Sequence, residues 1–163
     1  MRDITEAPEE LWESVGGPQR HSFGHAVDNR KAAPSEGTDG GGQPLRVMVV
    51  DDDELVRAVV GEMLRAAGHH VEVAAGPQDA LALFSSGHFD VVLTDESMPD
   101  MLGSELAVQI KASRPETAVV LLTGWGSGLS GAGELPHGID MILGKPVRED
   151  ELLACLNGAV IGS

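Results

Sequence analysis

Acidic side chains follow two apolar segments of the chain, at the point where each segment ends. The run DDDE at residues 51–54 follows VMVV at 47–50, and Asp95 follows VVLT at 91–94. Carboxylates held close together repel each other, and burial is costly for a charge that nothing compensates. A hard, oxygen-seeking cation such as Mg²⁺ resolves this conflict. The two segments therefore predict a carboxylate site for a divalent cation.

A hydroxyl and an ammonium group stand at corresponding places later in the chain. Thr123 ends the apolar run that begins at Ala118, and Lys145 follows the segment MILG at 141–144. A cation, a carboxylate, a lysine and a hydroxyl are the parts of a site for phosphoryl chemistry, because they take up or donate to negative phosphoryl oxygens. Each signal alone is weak, since an acid after an apolar run more often belongs to a turn or a helix start. Their joint occurrence, in this order, indicates phosphoryl chemistry.

The elements that must position these groups alternate between apolar and amphipathic segments. Between the apolar segments, residues such as Val56, Val60 and Leu64 recur with helical spacing, as expected for helices packed on a sheet. This alternation predicts an α/β fold with a doubly wound parallel sheet of five strands. Folds of this class carry their chemistry at the carboxyl ends of the strands. The predicted strands are Arg46–Val50, His70–Ala74, Val91–Thr94, Ala118–Thr123 and Ile139–Leu143.

Residues 1–44 and 45–163 are different kinds of sequence. The first segment is rich in Gly and Pro and holds few large apolar residues. Such a segment cannot bury enough surface to offset the entropy lost on ordering. We expect a flexible N-terminal arm over residues 1–44, with one short helix at Pro8–Val15, and a single domain over residues 45–163.

The composition excludes several classes of function. The 163 residues include 26 acids and 11 Lys and Arg, for a net charge of −15, which opposes non-specific binding to nucleic acid or to anionic lipid. The single cysteine, Cys155, excludes an internal disulfide framework and a multi-cysteine zinc site. No apolar run approaches the roughly 18–20 residues of a transmembrane helix. We expect a cytoplasmic protein without nucleic-acid or membrane partners, and a monomer.

Four segments of the chain resemble the response-regulator receiver domain, the phosphoacceptor module of two-component signalling. They are VVDD at 49–52, LTDESMPDMLG at 93–103, LLTGWG at 121–126 and GKPV at 144–147. The TGWG segment is similar to receivers attached to hybrid histidine kinases. The resemblance covers residues 45 to about 160, and it implies a (βα)5, flavodoxin-like fold with strand order 2-1-3-4-5.

The resemblance also implies how the carboxylates divide their roles. Asp95 would be the phosphorylated residue and would also contact the metal. Asp52 would bind Mg²⁺ directly, whereas Asp51 would hold it through water. The backbone carbonyl of Ser97 would be the remaining protein ligand. No other cofactor is implied.

Three further residues receive roles from the same resemblance. Lys145 would contact the phosphoryl group, and Thr123 would move toward it after phosphorylation. Pro146 would follow Lys145 through a cis peptide bond, which is accessible before proline. The other acids of the first cluster, Asp53 and Glu54, are predicted to begin the first helix, where carboxylates cap free N–H groups.

The implied function is that of a switch in a two-component system or phosphorelay. Asp95 would take a phosphoryl group from a phosphohistidine of a sensor histidine kinase or a histidine phosphotransfer protein. The domain would catalyse only its own phosphorylation and dephosphorylation, so we do not expect an enzyme acting on a separate substrate. The sequence shows no output domain, and we expect either a stand-alone receiver or the terminal part of a hybrid kinase.

Two features depart from the family pattern. Ile142 stands where receivers commonly carry Tyr or Phe, so an aromatic switch coupled to Thr123 is not available. Residues 126–133 hold four glycines, each costing a helix about 0.8–1 kcal/mol relative to Ala. We therefore expect the fourth helix of the family pattern to be short, irregular or mobile.

Two other functions remain open. Asp51-x-Asp53 after an apolar strand resembles the nucleophile motif of haloacid-dehalogenase-type phosphohydrolases, in which Asp51 would be phosphorylated and Asp53 would act as acid and base. Leu55 does not suit that motif, and no strand with paired acids follows Lys145. The second alternative is a receiver-like interaction module that never turns over phosphate.

Overall fold

The computed structural model describes residues 42–124 and 134–162. Five strands form a single sheet. They are β1 (Arg46–Val50), β2 (His70–Ala74), β3 (Val91–Asp95), β4 (Ala118–Thr123) and β5 (Met141–Gly144). The short helix predicted at Pro8–Val15, and all of the predicted arm except residues 42–44, lie outside the described residues.

Four helices lie within the described part of the chain. They are α1 (Glu54–Ala66), α2 (Pro77–Ser86), α3 (Gly103–Ser113) and α4 (Glu149–Ile161). The start of α1 confirms the local role predicted for the last two acids of the first cluster. The Asp53 side chain accepts hydrogen bonds from the N–H groups of Leu55 and Val56, and Glu54 lies in the first turn. The N-terminal end of a helix favours such carboxylates because its N–H groups are free and its dipole is positive there.

The strands are parallel and lie in the order β2-β1-β3-β4-β5, as the resemblance implied. The order reverses direction at β1 and β3, so the carboxyl ends of these two strands form the switch point of the sheet. Every residue of β3 is buried, as is typical of a parallel strand covered on both faces.

The helices cover both faces of the sheet. On one face, Val47 and Val49 of β1 belong to a core with residues of α1 and α4. On the other face, Met48 and Val50 belong to a core with residues of α2 and α3. Cys155 is buried in the first of these cores.

The predicted bounds of two strands, β3 and β5, were wrong. Strand β3 continues through Asp95, so the acid is part of the strand rather than following it. Strand β5 begins at Met141 instead of Ile139. The N–H of Ile139 bonds to the carbonyl of Pro136 in a turn, and the Asp140 side chain accepts the Val119 N–H at 2.7 Å. These two contacts satisfy groups that a longer strand would have used for pairing.

The segment for which we expected an irregular fourth helix lies mostly outside the described residues, which omit 125–133. Residues 134–140, just before β5, contain no helix. None of the helices in the described ranges is both long and apolar enough to cross a membrane.

Candidate functional site

Strand β1 delivers the first acid of the cluster into the protein interior. Asp51 has no exposed surface, whereas Asp52 is exposed. The Asp51 Oδ1 atom accepts the Asp53 N–H at 2.9 Å, and the Asp51 carbonyl accepts a bond from Arg57 at 2.7 Å. The side chain and the backbone of Asp51 are therefore both fixed by the start of α1.

Strand β3 places Asp95 beside this cluster. Val50 pairs with Thr94 in the register of β1 and β3, so the residues that follow them lie side by side. Asp95 is 6% exposed. Oxygen atoms of Asp51, Asp52 and Asp95 all lie within 4.8 Å of one another. The structure thus brings together the three carboxylates that the sequence singled out.

Lys145 supplies the positive charge of the site. Its Nζ atom donates to Asp51 Oδ2 at 2.8 Å and to Asp95 Oδ1 at 2.9 Å. The backbone holds it in place because the Lys145 N–H bonds to the carbonyl of Thr123 at 2.7 Å. The peptide bond between Lys145 and Pro146 is cis, as the resemblance implied.

Burial and neighbouring charge shift the pKa values of this pair. Burial raises the pKa of Asp95, and the nearby Asp51 charge adds to this effect. The hydrogen bonds from Lys145 and from the Ser97 N–H oppose the rise without cancelling it. For Lys145, burial acts to lower the pKa, but the hydrogen bonds to Asp51 and Asp95 outweigh burial and raise it. The site therefore holds three carboxylates and one ammonium group, which contacts two of them. This excess of negative charge favours binding of additional positive charge.

The remaining predicted residues border this cluster. Thr123 is half-buried at the end of β4, where it pairs with Gly144. Ser97 is exposed, and its backbone N–H acts to lower the pKa of Asp95. The role of the Ser97 carbonyl as a metal ligand and the movement of Thr123 stay predictions. Ile142 lies partly buried against the core on the α2 and α3 side of the sheet.

Two residues at the site, Glu96 and Gly103, have contacts that the sequence does not reveal. The Glu96 carboxylate accepts hydrogen bonds from the backbone N–H and the hydroxyl of Ser104. A Cβ atom at Gly103 would lie 2.1 Å from the carbonyl oxygen of Asp95, which forbids any side chain there. The only sequence signal for these contacts was the segment DESMPDMLG itself, because both depend on how the loop folds back on α3.

The donor set fits a hard divalent cation. Mg²⁺ prefers carboxylate oxygens and is held in proteins by one or two carboxylates together with waters. The cluster offers one exposed carboxylate, Asp52, and two buried ones, and the mutual repulsion of the three is relieved by a bound cation. The negative charge of the site and its carboxylate oxygens therefore suit such an ion.

Known proteins resemble this chain in sequence and in structure. Residues 47–157 match the family model of the response regulator receiver domain. The response regulator MprA of Mycolicibacterium vanbaalenii is 35% identical over 111 residues, which are 68% of this chain and 48% of MprA. The chain thus spans about half the length of this curated relative.

Solved structures agree with the sequence relatives. The chemotaxis protein CheY4 of Vibrio cholerae aligns with a TM-score of 0.66 and 30% identity, over 72% of this chain and 99% of CheY4. The response regulator TrrA of Thermotoga maritima, solved in complex with Mg²⁺-BeF, aligns with a TM-score of 0.62 and 29% identity, over 69% of this chain and 96% of TrrA. The chain belongs to the response regulator receiver domain family, the phosphoacceptor signalling domains of two-component systems.

Proposed function

We propose that Asp95 is the residue that accepts the phosphoryl group. The observation that carries this proposal is the contact of Lys145 Nζ with both Asp51 and Asp95, at 2.8 and 2.9 Å. A phosphoryl group on Asp95 would arrive next to an ammonium that already faces this carboxylate. Electrostatic stabilisation of this kind is the main contribution that proteins make to phosphoryl transfer.

Mg²⁺ is the cation that we propose for the carboxylate cluster. Asp52 and Asp95 would hold it directly, Asp51 through water, and the Ser97 carbonyl would complete the protein ligands. When bound, the ion would neutralise charge on the phosphoryl oxygens. The acidic cluster and the Mg²⁺-BeF complex of the similar TrrA support this assignment.

The residues of the chain would then act in order. A carboxylate oxygen of Asp95 attacks the phosphorus of a phosphohistidine in line, an acyl phosphate bond forms, and the P–N bond breaks so that the imidazole leaves. Lys145 holds a phosphoryl oxygen, and the Thr123 hydroxyl donates to another. Hydrolysis restores the Asp95 carboxylate, because water attacks the phosphorus, the P–O bond to the Asp95 oxygen breaks, and inorganic phosphate leaves.

The proposed partner is a sensor histidine kinase or a histidine phosphotransfer protein. We propose that the receiver domain occupies residues 45–163 and that residues 1–44 form a separate arm. We place the protein in the cytoplasm, without nucleic-acid or membrane partners, and the net charge of −15 supports the absence of such anionic partners. Phosphorylation and dephosphorylation would be reactions that this domain catalyses only on itself.

Two observations disfavour the phosphohydrolase hypothesis. Asp51, the nucleophile in that hypothesis, has no exposed surface and is bound by Lys145 and by the Asp53 N–H. Asp53, the acid and base in that hypothesis, caps α1 instead of facing the cluster. A role as a phosphate-independent interaction module is separated from the proposed function by the following experiment.

The experiment uses phosphoramidate, which contains the P–N bond of phosphohistidine. The full chain is incubated with phosphoramidate and Mg²⁺, and the intact mass is followed with time. We expect one added phosphoryl group in the wild-type protein, none in Asp95→Asn, and none when EDTA removes the metal. An interaction module would keep its mass unchanged under all three conditions, and that result would refute the proposal.

A further inference from the structure

Glu96, the residue after Asp95, ties the loop at the acceptor site to helix α3. We define the acceptor loop as residues Asp95–Ser97. The Glu96 carboxylate accepts the Ser104 N–H at 3.0 Å and the Ser104 hydroxyl at 2.9 Å. Its carbonyl accepts the Gly103 N–H at 3.0 Å, and its own N–H donates to the carbonyl of Leu122 at 3.0 Å. The middle residue of the loop is therefore bound to α3 on one side and to β4 on the other.

The position of this carboxylate is favourable for α3. The first N–H groups of a helix have no partner inside the helix, and the helix dipole makes this end positive. Helix α3 receives two carboxylates here. Glu105 reaches back from the first turn to the Leu102 N–H at 2.9 Å, whereas Glu96 comes from outside the helix. Of these two carboxylates, only that of Glu96 connects the helix to the acceptor loop.

Close packing leaves little freedom between the loop and the helix. The Gly103 backbone approaches Asp95 so tightly that a Cβ atom would lie 2.1 Å from the Asp95 carbonyl oxygen. The Ser97 backbone N–H, at the other end of the loop, favours the ionised Asp95 carboxylate and so lowers its pKa. A change at the Glu96 side chain is therefore expected to move the backbone that faces the carboxylate cluster.

We propose that Glu96 is a positioning residue for the cation site, an inference that rests on the proposed function. By capping α3, Glu96 holds the acceptor loop so that the Ser97 backbone faces the Asp95 carboxylate and the cluster. Because a coupling free energy between two sites is reciprocal, cation binding at the cluster stabilises the start of α3 by the same amount. This contact gives the site a direct connection to α3 that needs no aromatic residue at position 142.

The first test measures the affinity for Mg²⁺ alone by isothermal titration calorimetry on the full chain. We compare wild type, Glu96→Gln, Glu96→Ala and the matched control Glu105→Ala, which removes a cap of the same helix but leaves the loop contact intact. Removal of residues that orient metal ligands commonly weakens binding about tenfold or more. We expect about tenfold weaker binding in Glu96→Ala, a smaller loss in Glu96→Gln, and no change in Glu105→Ala.

The second test separates positioning from stability. In EDTA, both alanine variants should melt at lower temperature, since each has lost a helix cap. Hydrogen exchange of the Ser104 amide should slow on adding Mg²⁺ to wild type and to Glu105→Ala, but not to Glu96→Ala. Folding of each variant is checked by circular dichroism. If Glu96→Ala does not fold, the Mg²⁺ affinity and the Ser104 exchange rate are taken from Glu96→Gln, which keeps the shape of the side chain.

Several results would overturn the inference. Wild-type affinity in both Glu96 variants would mean that Glu96 only caps the helix. Equal loss of affinity in Glu105→Ala would mean that the site depends on the general stability of α3. In both cases the proposed function would stand, because wild type would still bind the ion. If wild type bound no Mg²⁺ at all, the metal assignment of the proposed function would fail together with the inference.

Discussion

Lys145 and Asp51 form an ion pair of 2.8 Å although they are 94 residues apart in the chain. Strands β1 and β5, which carry them, are separated in the sheet by β3 and β4. Neighbouring strands lie about 4.8 Å apart, so Lys145 must cross the ends of two strands to reach Asp51. On this path its Nζ atom also meets Asp95 at 2.9 Å. The charge balance of the site therefore depends on this one side chain.

Replacing Lys145 by Met should destabilise the metal-free protein. Within the part of the chain that the structure describes, Lys145 is the ammonium group that pairs with Asp51 and Asp95, and both carboxylates would lose it. Removing one partner of a fully buried pair costs roughly 3–5 kcal/mol, and we expect about 2 kcal/mol here because the lysine side chain is 21% exposed. Urea unfolding with and without Mg²⁺ measures the effect. The cation should restore part of the lost stability, and an equal loss under both conditions would contradict this account.

Replacing Asp95 by Asn should stabilise the metal-free protein at neutral pH. The pKa of Asp95 is raised above its ordinary value of 3.8, mainly by burial, so its ionised form is less favourable in the folded chain than in the unfolded chain. The penalty is fully present above the raised pKa and disappears as the pH falls through it. We expect the advantage of Asn over Asp to shrink in the same pH range. Thermal melts in EDTA over a pH series measure this advantage. An advantage that did not change with pH would show that burial of the Asp95 charge is unimportant.

Replacing Gly103 by Ala should damage both the fold and the site. The new Cβ atom would meet the Asp95 carbonyl, which is backbone and cannot move aside cheaply. Overpacking of this kind costs at least about 1–3 kcal/mol. Gly76→Ala is the matched control, because a Cβ atom there meets nothing within 4 Å. The free energy of unfolding should fall in the first variant and stay nearly constant in the second; comparable values in the two would show that the contact is not tight.

A histidine away from the site should make stability depend on pH. Burial lowers the pKa of His69, with a smaller contribution from His70, and its Nδ1 atom accepts the Leu45 N–H at 3.2 Å. Protonation of Nδ1 would place an N–H donor of His69 opposite the N–H donor of Leu45, and this hydrogen bond would be lost. Because the unfolded value of 6.5 lies above the folded one, the unfolded chain takes up the proton first, and stability falls as the pH drops below about 6.5.

The substitution His69→Gln measures this contribution. Chemical denaturation at several pH values should show a shallower loss of stability in the variant, since the group that binds the extra proton is absent. A loss as steep as that of wild type would assign the effect to other groups.

The sequence was sufficient to predict the sheet and the approach of its acidic residues to Lys145. Apolar runs end at Asp51, Asp95, Thr123 and Lys145, and parallel strands place their carboxyl ends at one edge, so the meeting of these residues followed from topology. Strand ends were less predictable. Asp95 looked like a residue after the strand because it is charged, yet it is buried and paired within β3.

The supporting contacts could not be predicted because they depend on the path of a loop. Glu96 is an acid beside another acid, and nothing in its local sequence indicates that it reaches Ser104 at the start of α3. Gly103 is required by its close approach to the backbone of Asp95 rather than by an unusual backbone angle, and a sequence does not reveal such an approach. Ile139 is 6% exposed and apolar, so its sequence is typical of a strand, but its N–H bonds to the carbonyl of Pro136 in a turn and it precedes β5.

The central claim is that Asp95 is the phosphorylated residue. The most direct measurement incubates the full chain with Mg²⁺ and acetyl phosphate, traps the acyl phosphate with borohydride, and maps the product by mass spectrometry. The account predicts a single modified residue, Asp95, and no modification in Asp95→Asn. A product mapped to Asp51 would contradict it and favour the phosphohydrolase hypothesis, and an unmodified, folded protein would contradict phosphate transfer altogether.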